Sequence, residues 1–296
     1  MIGPTLAQTS YLFGGERVDA MLPAVRTVQL FATCLGDLFF PDAVADAESL
    51  LRESGFEVVF PRSQVCCGQP AFNAGHRRAA RRVARTFTHA FSREAPIVAA
   101  SGSCVTMVSH YLPELVGCEP FEVYELSAFL DSNGIEPPRR NEGLRLAYHD
   151  SCHMLRELRV SDPPRRLLER SGATLVPLPR PDLCCGFGGT FSVRQPEVSL
   201  AMADEKLGGA AEADALVTAD PGCLMHLRAR AERAGSPTRV VHLATALARG
   251  VSGVGSTEPP TRRRLDGPGQ GAQVPASPAP ERDPSEAPAS PASERE

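Results

Sequence analysis

The stretch CCGQPAFNAG, Cys66 to Gly75, has a counterpart in CCGFGGTFSV, Cys184 to Val193. A lone cysteine precedes each Cys-Cys-Gly and another follows it, so the chain carries two quartets of cysteines. The quartets are Cys34, Cys66, Cys67 and Cys104, then Cys152, Cys184, Cys185 and Cys223. Corresponding cysteines are 118, 118, 118 and 119 residues apart. This nearly constant offset indicates an internal duplication.

Short apolar runs alternate with helical stretches in both copies. Strands are predicted at Val28 to Thr33, Phe56 to Phe60, Ile97 to Ala100, Phe121 to Tyr124, Leu144 to Tyr148, Thr174 to Leu178, Ala215 to Thr218 and Arg239 to Val241. Helices are predicted at Ala43 to Glu53, Arg77 to Phe91, Pro164 to Arg170 and Glu197 to Leu207. This alternation favours parallel βαβ units. We predict an α/β fold with two homologous, doubly wound, Rossmann-like halves related by pseudo-two-fold symmetry.

The duplication also divides the chain into segments. Residues 26–140 are predicted to form the first half and residues 141–251 the second half. Residues 1–25 are expected to be poorly ordered. Residues 252–296 contain nine prolines and no aromatic residue. Such a composition buries too little apolar surface to offset the entropy of ordering, so a disordered tail is predicted.

Each lone cysteine follows a predicted strand, where ligand sites of parallel sheets form. Each quartet should therefore gather at one edge of its own half. Thiolates are soft ligands that bind iron–sulfur clusters and zinc, and the glycine after each cysteine pair permits a turn in which both thiols face one site. Buried apolar cysteines and a vicinal disulfide at each pair are alternative interpretations. Cys118 has no counterpart in the other half and is expected to pack in the core.

Composition excludes several classes of function. The net charge of -4 and the pI of about 6.0 offer no basic field for a nucleic acid. No apolar run approaches the roughly 18 residues that a membrane-spanning helix requires, and the N-terminus lacks the pattern of a secretory signal. We therefore expect a cytoplasmic protein without an integral membrane span. In that reducing compartment ordered cysteines indicate metal ligands or redox groups.

The motif of a lone cysteine, 31 residues, Cys-Cys-Gly, about 36 residues and a further cysteine resembles the duplicated cysteine-rich CCG domain. This family includes the CCG-containing subunit of heterodisulfide reductase and the iron–sulfur subunit of glycolate oxidase. The sequence looks most like the lactate-utilisation branch of this family. The matching residues are Thr33 to Asp37, Gly102 to Cys104 and the two CCG stretches. The resemblance covers roughly residues 28–250.

The resemblance implies an electron-transfer subunit of an L-lactate-oxidising complex, which is part of an oxidoreductase rather than a complete enzyme. The eight quartet cysteines would hold one iron–sulfur cluster per half, [4Fe–4S] in the simplest case, with zinc in one site as an alternative. The implied partners are a ferredoxin-type iron–sulfur subunit and a third subunit. Three alternatives remain open: another 2-hydroxy acid such as glycolate, a thiol–disulfide redox protein, and a zinc-binding scaffold.

The chain departs from the fuller family motif, which ends in Cys-x-x-Cys. Met107 and His226 stand where the fifth cysteine of each half would be. A thioether is a poor ligand for cluster iron and an imidazole is a reasonable one, so His226 is a candidate extra ligand. The five-cysteine clusters of heterodisulfide reductase therefore do not transfer directly to this chain.

Other polar residues flank the quartets. His149 and His153 flank Cys152 and would either donate hydrogen bonds to sulfur or shuttle a proton coupled to electron transfer. Alternatively they are polar residues of a loop that caps a helix at Asp150 or Ser151. Gln69, Asn73 and Arg194 follow the Cys-Cys-Gly turns, and Arg194 is expected to be a surface residue rather than a carboxylate ligand. No phosphate-binding loop or nucleophilic triad is found, and no catalytic residue is assigned.

Overall fold

The structure, a computed structural model, describes residues 27–253. The lack of order predicted for residues 1–25 and for the tail, residues 252–296, concerns residues outside the described range, apart from 252 and 253. None of the helices within 27–253 has the length and hydropathy that crossing a bilayer requires.

The first half alternates strands and helices from Thr27, the first described residue. Its elements are β1 (Thr27–Phe31), α1 (Cys34–Phe39), α2 (Pro41–Glu53), β2 (Glu57–Val59), α3 (Gln69–Asn73), α4 (Arg77–Ala90), β3 (Ile97–Ala99), α5 (Gly102–Thr106), α6 (Leu112–Val116), β4 (Val123–Glu125) and α7 (Leu126–Ser132). A π-helical segment, Met107–Tyr111, joins α5 to α6.

The second half repeats this order with small changes. Its elements are β5 (Arg145–His149), α8 (Asp162–Arg170), β6 (Thr174–Leu175), α9 (Thr190–Arg194), α10 (Pro196–Gly209), β7 (Ala215–Thr218), α11 (Pro221–Ala234), β8 (Arg239–His242) and α12 (Leu243–Ala248). A π-helical segment, His153–Leu158, follows β5, and a short 3₁₀ turn, Val251–Gly253, follows α12. β6 is shorter than predicted because Pro177 and Pro179 provide no backbone N–H to extend the ladder.

Each half contains one four-stranded parallel sheet. The strand orders are β2-β1-β3-β4 and β6-β5-β7-β8, which are the same order in the two copies. Leu30 pairs with Val98 in the first sheet, and Leu146 pairs with Ala215 in the second. The predicted α/β fold of two similar halves is therefore confirmed. In both sheets the strand order reverses beside the first strand, and this switch point is where parallel sheets bind ligands.

The helix contacts between the two halves follow a pseudo-two-fold symmetry. α2 packs against α12, and α7 packs against α8. Because α2 corresponds to α8 and α7 corresponds to α12, the two contacts exchange under the duplication. In the same way α5 packs against the π-helical segment after β5, and α1 packs against α11. The predicted pseudo-symmetry is confirmed by these reciprocal contacts.

A single apolar core spans both halves. Leu30 and Val98 of the first sheet belong to the same buried cluster as Leu146 and Val217 of the second. Each half also has an outer cluster of its own, around Phe87 in the first half and around Leu227 in the second. Since the burial of apolar surface drives folding, the shared core favours folding of the halves as one unit.

Asn141 ties the start of the second half to the rest of that half. Its amide nitrogen donates to Ser171 Oγ and to the carbonyl oxygen of Ala246, both at 2.8 Å, and its Oδ1 accepts from the Val251 N–H at 3.0 Å. The side chain is wholly buried. This one amide therefore bonds three buried polar groups, of which Ser171 Oγ also donates to the Leu168 carbonyl oxygen.

We expect Asn141→Ala to lower the free energy of unfolding by about 2–4 kcal/mol, because the Ala246 carbonyl and the Val251 N–H lose this hydrogen bond and stay buried. Asn133→Ala is the matched control, since Asn133 is exposed and its side chain donates to the Phe129 carbonyl, at 2.8 Å. That control should cost less than about 1 kcal/mol. Urea unfolding measures both variants, and equal losses would contradict the role given to Asn141.

Candidate metal centre

The first quartet meets at the carboxyl edge of the first sheet. Cys34 Sγ lies 3.5 Å from Cys66 Sγ, and Cys67 Sγ lies 3.5 Å from Cys104 Sγ. Cys66 also interacts directly with Cys67, so the four thiols form one continuous group. Cys67 and Cys104 are buried, whereas Cys34 is exposed. The group thus extends from the outer core of the first half to the protein surface.

The second quartet repeats this arrangement. Cys185 Sγ lies 3.2 Å from Cys223 Sγ, and Cys152 is in hydrogen-bond contact with Cys184. Cys185 and Cys223 are buried, and the other two are partly exposed. All eight cysteines predicted to gather within their own halves are brought together. Cys118 instead packs, partly buried, against the outer core of the first half.

The turn after each cysteine pair aims backbone N–H groups at sulfur. Gly68 N donates to Cys66 Sγ and Gly186 N donates to Cys184 Sγ, both at 3.4 Å. Both glycines are left-handed, with φ of 90° and 93°. This geometry is the one expected from the Cys-Cys-Gly sequence. Because N–H donors stabilise negative charge on sulfur, the turns favour thiolates and bound anionic groups.

Lone cysteines lie in the first turns of helices. α1 begins at Cys34, and Cys104 lies in the first turn of α5, whose N-cap Ser101 accepts from Cys104 N. Cys223 lies in the first turn of α11, whose N-cap is Asp220. Unpaired N–H groups at a helix start stabilise negative charge, so these positions also favour thiolates.

The thiols of each quartet share their protons unequally. Hydrogen bonds from Cys34 and Cys67 lower the pKa of Cys66 to about 3, and hydrogen bonds from Cys152 and Cys185 lower the pKa of Cys184 to about 2. The donating thiols have pKa values raised above the ordinary range by these bonds and by burial. Deprotonation of all four thiols therefore requires a compensating positive charge, which bound metal provides.

The two histidines expected near the second quartet have different environments. His153 Nδ1 lies 3.7 Å from Cys152 Sγ, and its Nε2 accepts from the side-chain amide of Gln69 at 3.2 Å. His149 ends β5, is fully buried, and has no hydrogen-bond partner on either ring nitrogen among residues 27–253. A ring nitrogen of His149 and the Sγ atoms of Cys185 and Cys223 all lie within 4.8 Å of one another. Burial lowers the pKa of His149 to about 3, so the imidazole is neutral.

The two substituted family positions also differ. Met107 is fully buried in the outer core of the first half. His226 Nε2 lies 3.1 Å from Ser199 Oγ, and that hydroxyl donates to the carbonyl oxygen of Gly186 at 2.8 Å. His226 thus supports the Cys-Cys-Gly turn, and its role as a ligand stays a prediction. Asn73 and Arg194 are exposed.

Some site residues were not found from the sequence. Lys206, the only lysine, is buried and donates to the carbonyl oxygens of Arg180 and Pro181, at 2.6 and 3.2 Å, which holds the loop before the second cysteine pair. Asp220 accepts from Ser103 N at 2.8 Å, so a cap of the second half bonds the cysteine loop of the first half. The rarity of lysine was the only available signal for Lys206. No sequence signal marks the Asp220 contact.

Both halves of the chain match a known family of domains. The cysteine-rich domain called CCG matches twice, over residues 28–109 and 146–228. The chain belongs to this family. The two matched ranges contain the two quartets, which are the feature that the family is named for.

Curated relatives of this CCG protein are covered over nearly their whole length. The chain is 43% identical over 234 residues to Lactate utilization protein A of Geobacillus kaustophilus (strain HTA426), covering 74% of this chain and 98% of that protein. It is 43% identical over 235 residues to Lactate utilization protein A of Halalkalibacterium halodurans (strain ATCC BAA-125 / DSM 18197 / FERM 7344 / JCM 9153 / C-125), covering 74% and 96%. The resemblance to the lactate-utilisation branch is therefore confirmed.

Among solved structures, a hypothetical protein from Helicobacter pylori aligns with 10% sequence identity and a TM-score of 0.47. The alignment covers 76% of this chain and 49% of that chain. A likeness at this level says nothing about function.

The glycines of the two turns differ in the space around them. A Cβ on Gly186 would overlap the carbonyl oxygen of Ser199, whereas a Cβ on Gly68 would meet nothing closer than 3.5 Å. Gly68→Ala should therefore cost only the left-handed backbone strain, about 1–2 kcal/mol of unfolding free energy. Gly186→Ala should cost roughly 2 kcal/mol more, because backbone must move. Urea unfolding compares the pair, and equal losses would show that the second turn is not crowded.

Glu125 is a buried carboxyl between the halves. It caps α7 by accepting from the backbone N–H groups of Ser127 and Ala128, at 2.9 and 3.2 Å. Its second oxygen has no hydrogen-bond partner in the described part of the chain, and Asp220 of the second half repels its charge. Burial, with this smaller repulsion, raises the pKa of Glu125 from its ordinary 4.5 to about 7.

The raised pKa of Glu125 makes stability depend on pH. The native state holds this proton at pH values where the unfolded chain has lost it, so stability falls as the pH rises through about 7. We expect Glu125→Gln to flatten this fall between about pH 5 and pH 8, since a glutamine cannot ionise. The control is Glu122→Gln, an exposed position. Parallel profiles of wild type and Glu125→Gln in urea unfolding would refute the assignment.

Proposed function

We propose that each cysteine quartet holds an iron–sulfur cluster and that this chain is an electron-transfer subunit of an L-lactate-oxidising complex. The observation that carries the proposal is the convergence of four thiols, twice, at the carboxyl edge of a parallel sheet. Cluster iron is bound by soft thiolates, and N–H groups directed at sulfur are a common feature of its sites. The donor set therefore fits the group.

The assigned ligands are Cys34, Cys66, Cys67 and Cys104 in the first half and Cys152, Cys184, Cys185 and Cys223 in the second. Four thiolates per half match one [4Fe–4S] cluster, which takes up and releases single electrons. The chain's own residues supply the rest of the site. Gly68 and Gly186 direct N–H groups at sulfur, and the buried cysteines keep part of each centre away from water. Segments 26–140 and 141–251 are the proposed cluster-binding halves.

The choice of lactate as the substrate is supported by the relatives, which carry the name Lactate utilization protein A. The reaction assigned to the complex is oxidation of L-lactate to pyruvate. We assign no catalytic residue to this chain and expect a ferredoxin-type iron–sulfur subunit and a third subunit to work with it in the cytoplasm. The exposure of Cys34 supports electron exchange with a partner, because it brings one edge of a centre to the surface.

Zinc is the second candidate for either site. Two thiolates on one tetrahedral zinc ion lie about 3.8 Å apart, as zinc–sulfur bonds of about 2.3 Å require. The closest sulfur pairs here, at 3.2–3.5 Å, are near that value. A zinc-bound protein would be a scaffold without a redox role.

Elemental analysis of anaerobically purified protein tests the proposal. We expect about eight irons and eight acid-labile sulfides per chain, and an EPR signal after reduction with dithionite. Cys67→Ser and Cys185→Ser should each remove about half of the iron, because each breaks one quartet. Cys118→Ser is the matched control and should keep all of it. Zinc without sulfide, persisting after anaerobic reconstitution, would overturn the proposal in favour of the scaffold.

Turnover in the assembled complex tests the substrate. We expect L-lactate to be oxidised with a higher kcat/KM than glycolate, with reduction of the EPR-detected centres during turnover. A higher kcat/KM for glycolate than for L-lactate would show that glycolate is the substrate of the complex.

A further inference from the structure

The imidazole of His149 is a buried polar group with no partner in the described part of the chain. Its side chain is fully excluded from solvent, and neither Nδ1 nor Nε2 makes a hydrogen bond within residues 27–253. Leaving a buried donor or acceptor unsatisfied costs about 1–3 kcal/mol for each group. A bound ligand that contacts a ring nitrogen of His149 at the end of β5 would remove this cost.

The nearest candidate partner of this imidazole is the metal centre proposed for the second quartet. One ring nitrogen of His149 lies within 4.8 Å of the Sγ atoms of Cys185 and Cys223, yet no hydrogen bond joins the ring to either sulfur. A nitrogen and a sulfur that share one metal ion are separated by at most about 4.3 Å, given bonds of about 2.0 and 2.3 Å. The 4.8 Å limit is close to this value, so the imidazole borders the metal that either thiolate would hold.

The other histidines near the quartet already have partners. His226 Nε2 bonds Ser199 Oγ at 3.1 Å, and His153 Nε2 bonds the Gln69 amide at 3.2 Å. Among these three histidines only His149 has both nitrogens without a hydrogen bond to any described residue.

Phe31 is the counterpart of His149 in the first half. It ends β1 at the position that His149 occupies in β5, 118 residues later. The Phe31 ring lies edge-on to Phe87 and Phe91, with ring centroids 5.2 and 5.4 Å away. Equivalent backbone positions therefore carry a phenyl ring in the first half and an imidazole in the second.

We propose that His149 is a nitrogen ligand of the metal centre in the second half, bound beside Cys185 and Cys223, while the first centre is held by thiolates alone. This proposal rests on the proposed function, since it takes the metal to be the iron of an iron–sulfur cluster. Nitrogen ligation would make the two centres electronically distinct, because the second centre would carry a neutral imidazole in addition to its four thiolates.

Nitrogen hyperfine coupling tests the proposal on the unaltered protein. The chain is produced with ¹⁵N-labelled histidine, reduced anaerobically, and examined by pulsed EPR. We expect one strong coupling from a directly bound nitrogen, on one of two cluster signals. Weak couplings alone, such as hydrogen-bonded histidines give, or no coupling at all, would overturn the proposal.

Variants then assign the nitrogen. His149→Phe copies the residue of the first half and should abolish the strong coupling, while the first-half signal remains. His149→Gln serves if the aromatic variant does not fold, and the same loss is expected. His226→Ala should keep the coupling. A coupling that disappears in His226→Ala, or one that survives in both His149 variants, would overturn the assignment.

The same samples separate the two proposals. Iron and sulfide present without strong nitrogen coupling would defeat the role of His149 and leave the iron–sulfur function intact. Zinc without iron or sulfide would defeat the proposed function itself, and the ligand assignment with it. Iron, sulfide and a coupling that follows His149 would support both.

Discussion

Parallel pairing of strands is the constraint on which the site depends. In a parallel sheet every carboxyl end lies at the same edge, so loops far apart in sequence meet there. β1 and β3 are neighbours, and Cys34 and Cys104 follow them by a few residues. The Cys66-Cys67 turn comes from β2 on the other side of β1. Thiols more than 30 residues apart thus become contacts because the sheet fixes where each loop begins.

Duplication preserved the backbone of the two sites and varied the side chains around them. Both turns keep a left-handed glycine and an N–H directed at sulfur. Around the second quartet, however, lie His149 and His226, where the first half has Phe31 and Met107. Polar neighbours change the electrostatic environment of a metal centre, so identical ligand spacing does not imply identical properties.

The strands, the duplication and four of the helices were predictable because their signals are local. Alternating apolar runs located all eight described strands, and the constant cysteine offset revealed the duplication. The burial of His149 was not predictable, since a histidine three residues before a cysteine fits a polar loop equally well. The bond between Asp220 and Ser103 was not predictable either, because it joins residues 117 apart across the halves. Contacts of that kind depend on helix packing, which leaves no periodic pattern in one sequence.

The boundary between the halves is itself part of the site. Gln69, which follows the first cysteine pair, bonds His153, which follows Cys152. Gly102, two residues before Cys104, lies so close to Met154 that a Cβ there would collide with that side chain. Loops that carry the thiols of one half are therefore positioned by residues of the other half. The same loops contribute to the interface between the halves and to the thiol sites, so a displacement of one half would disturb both quartets. An apolar core shared by the two halves prevents such a displacement, which two independent domains would allow.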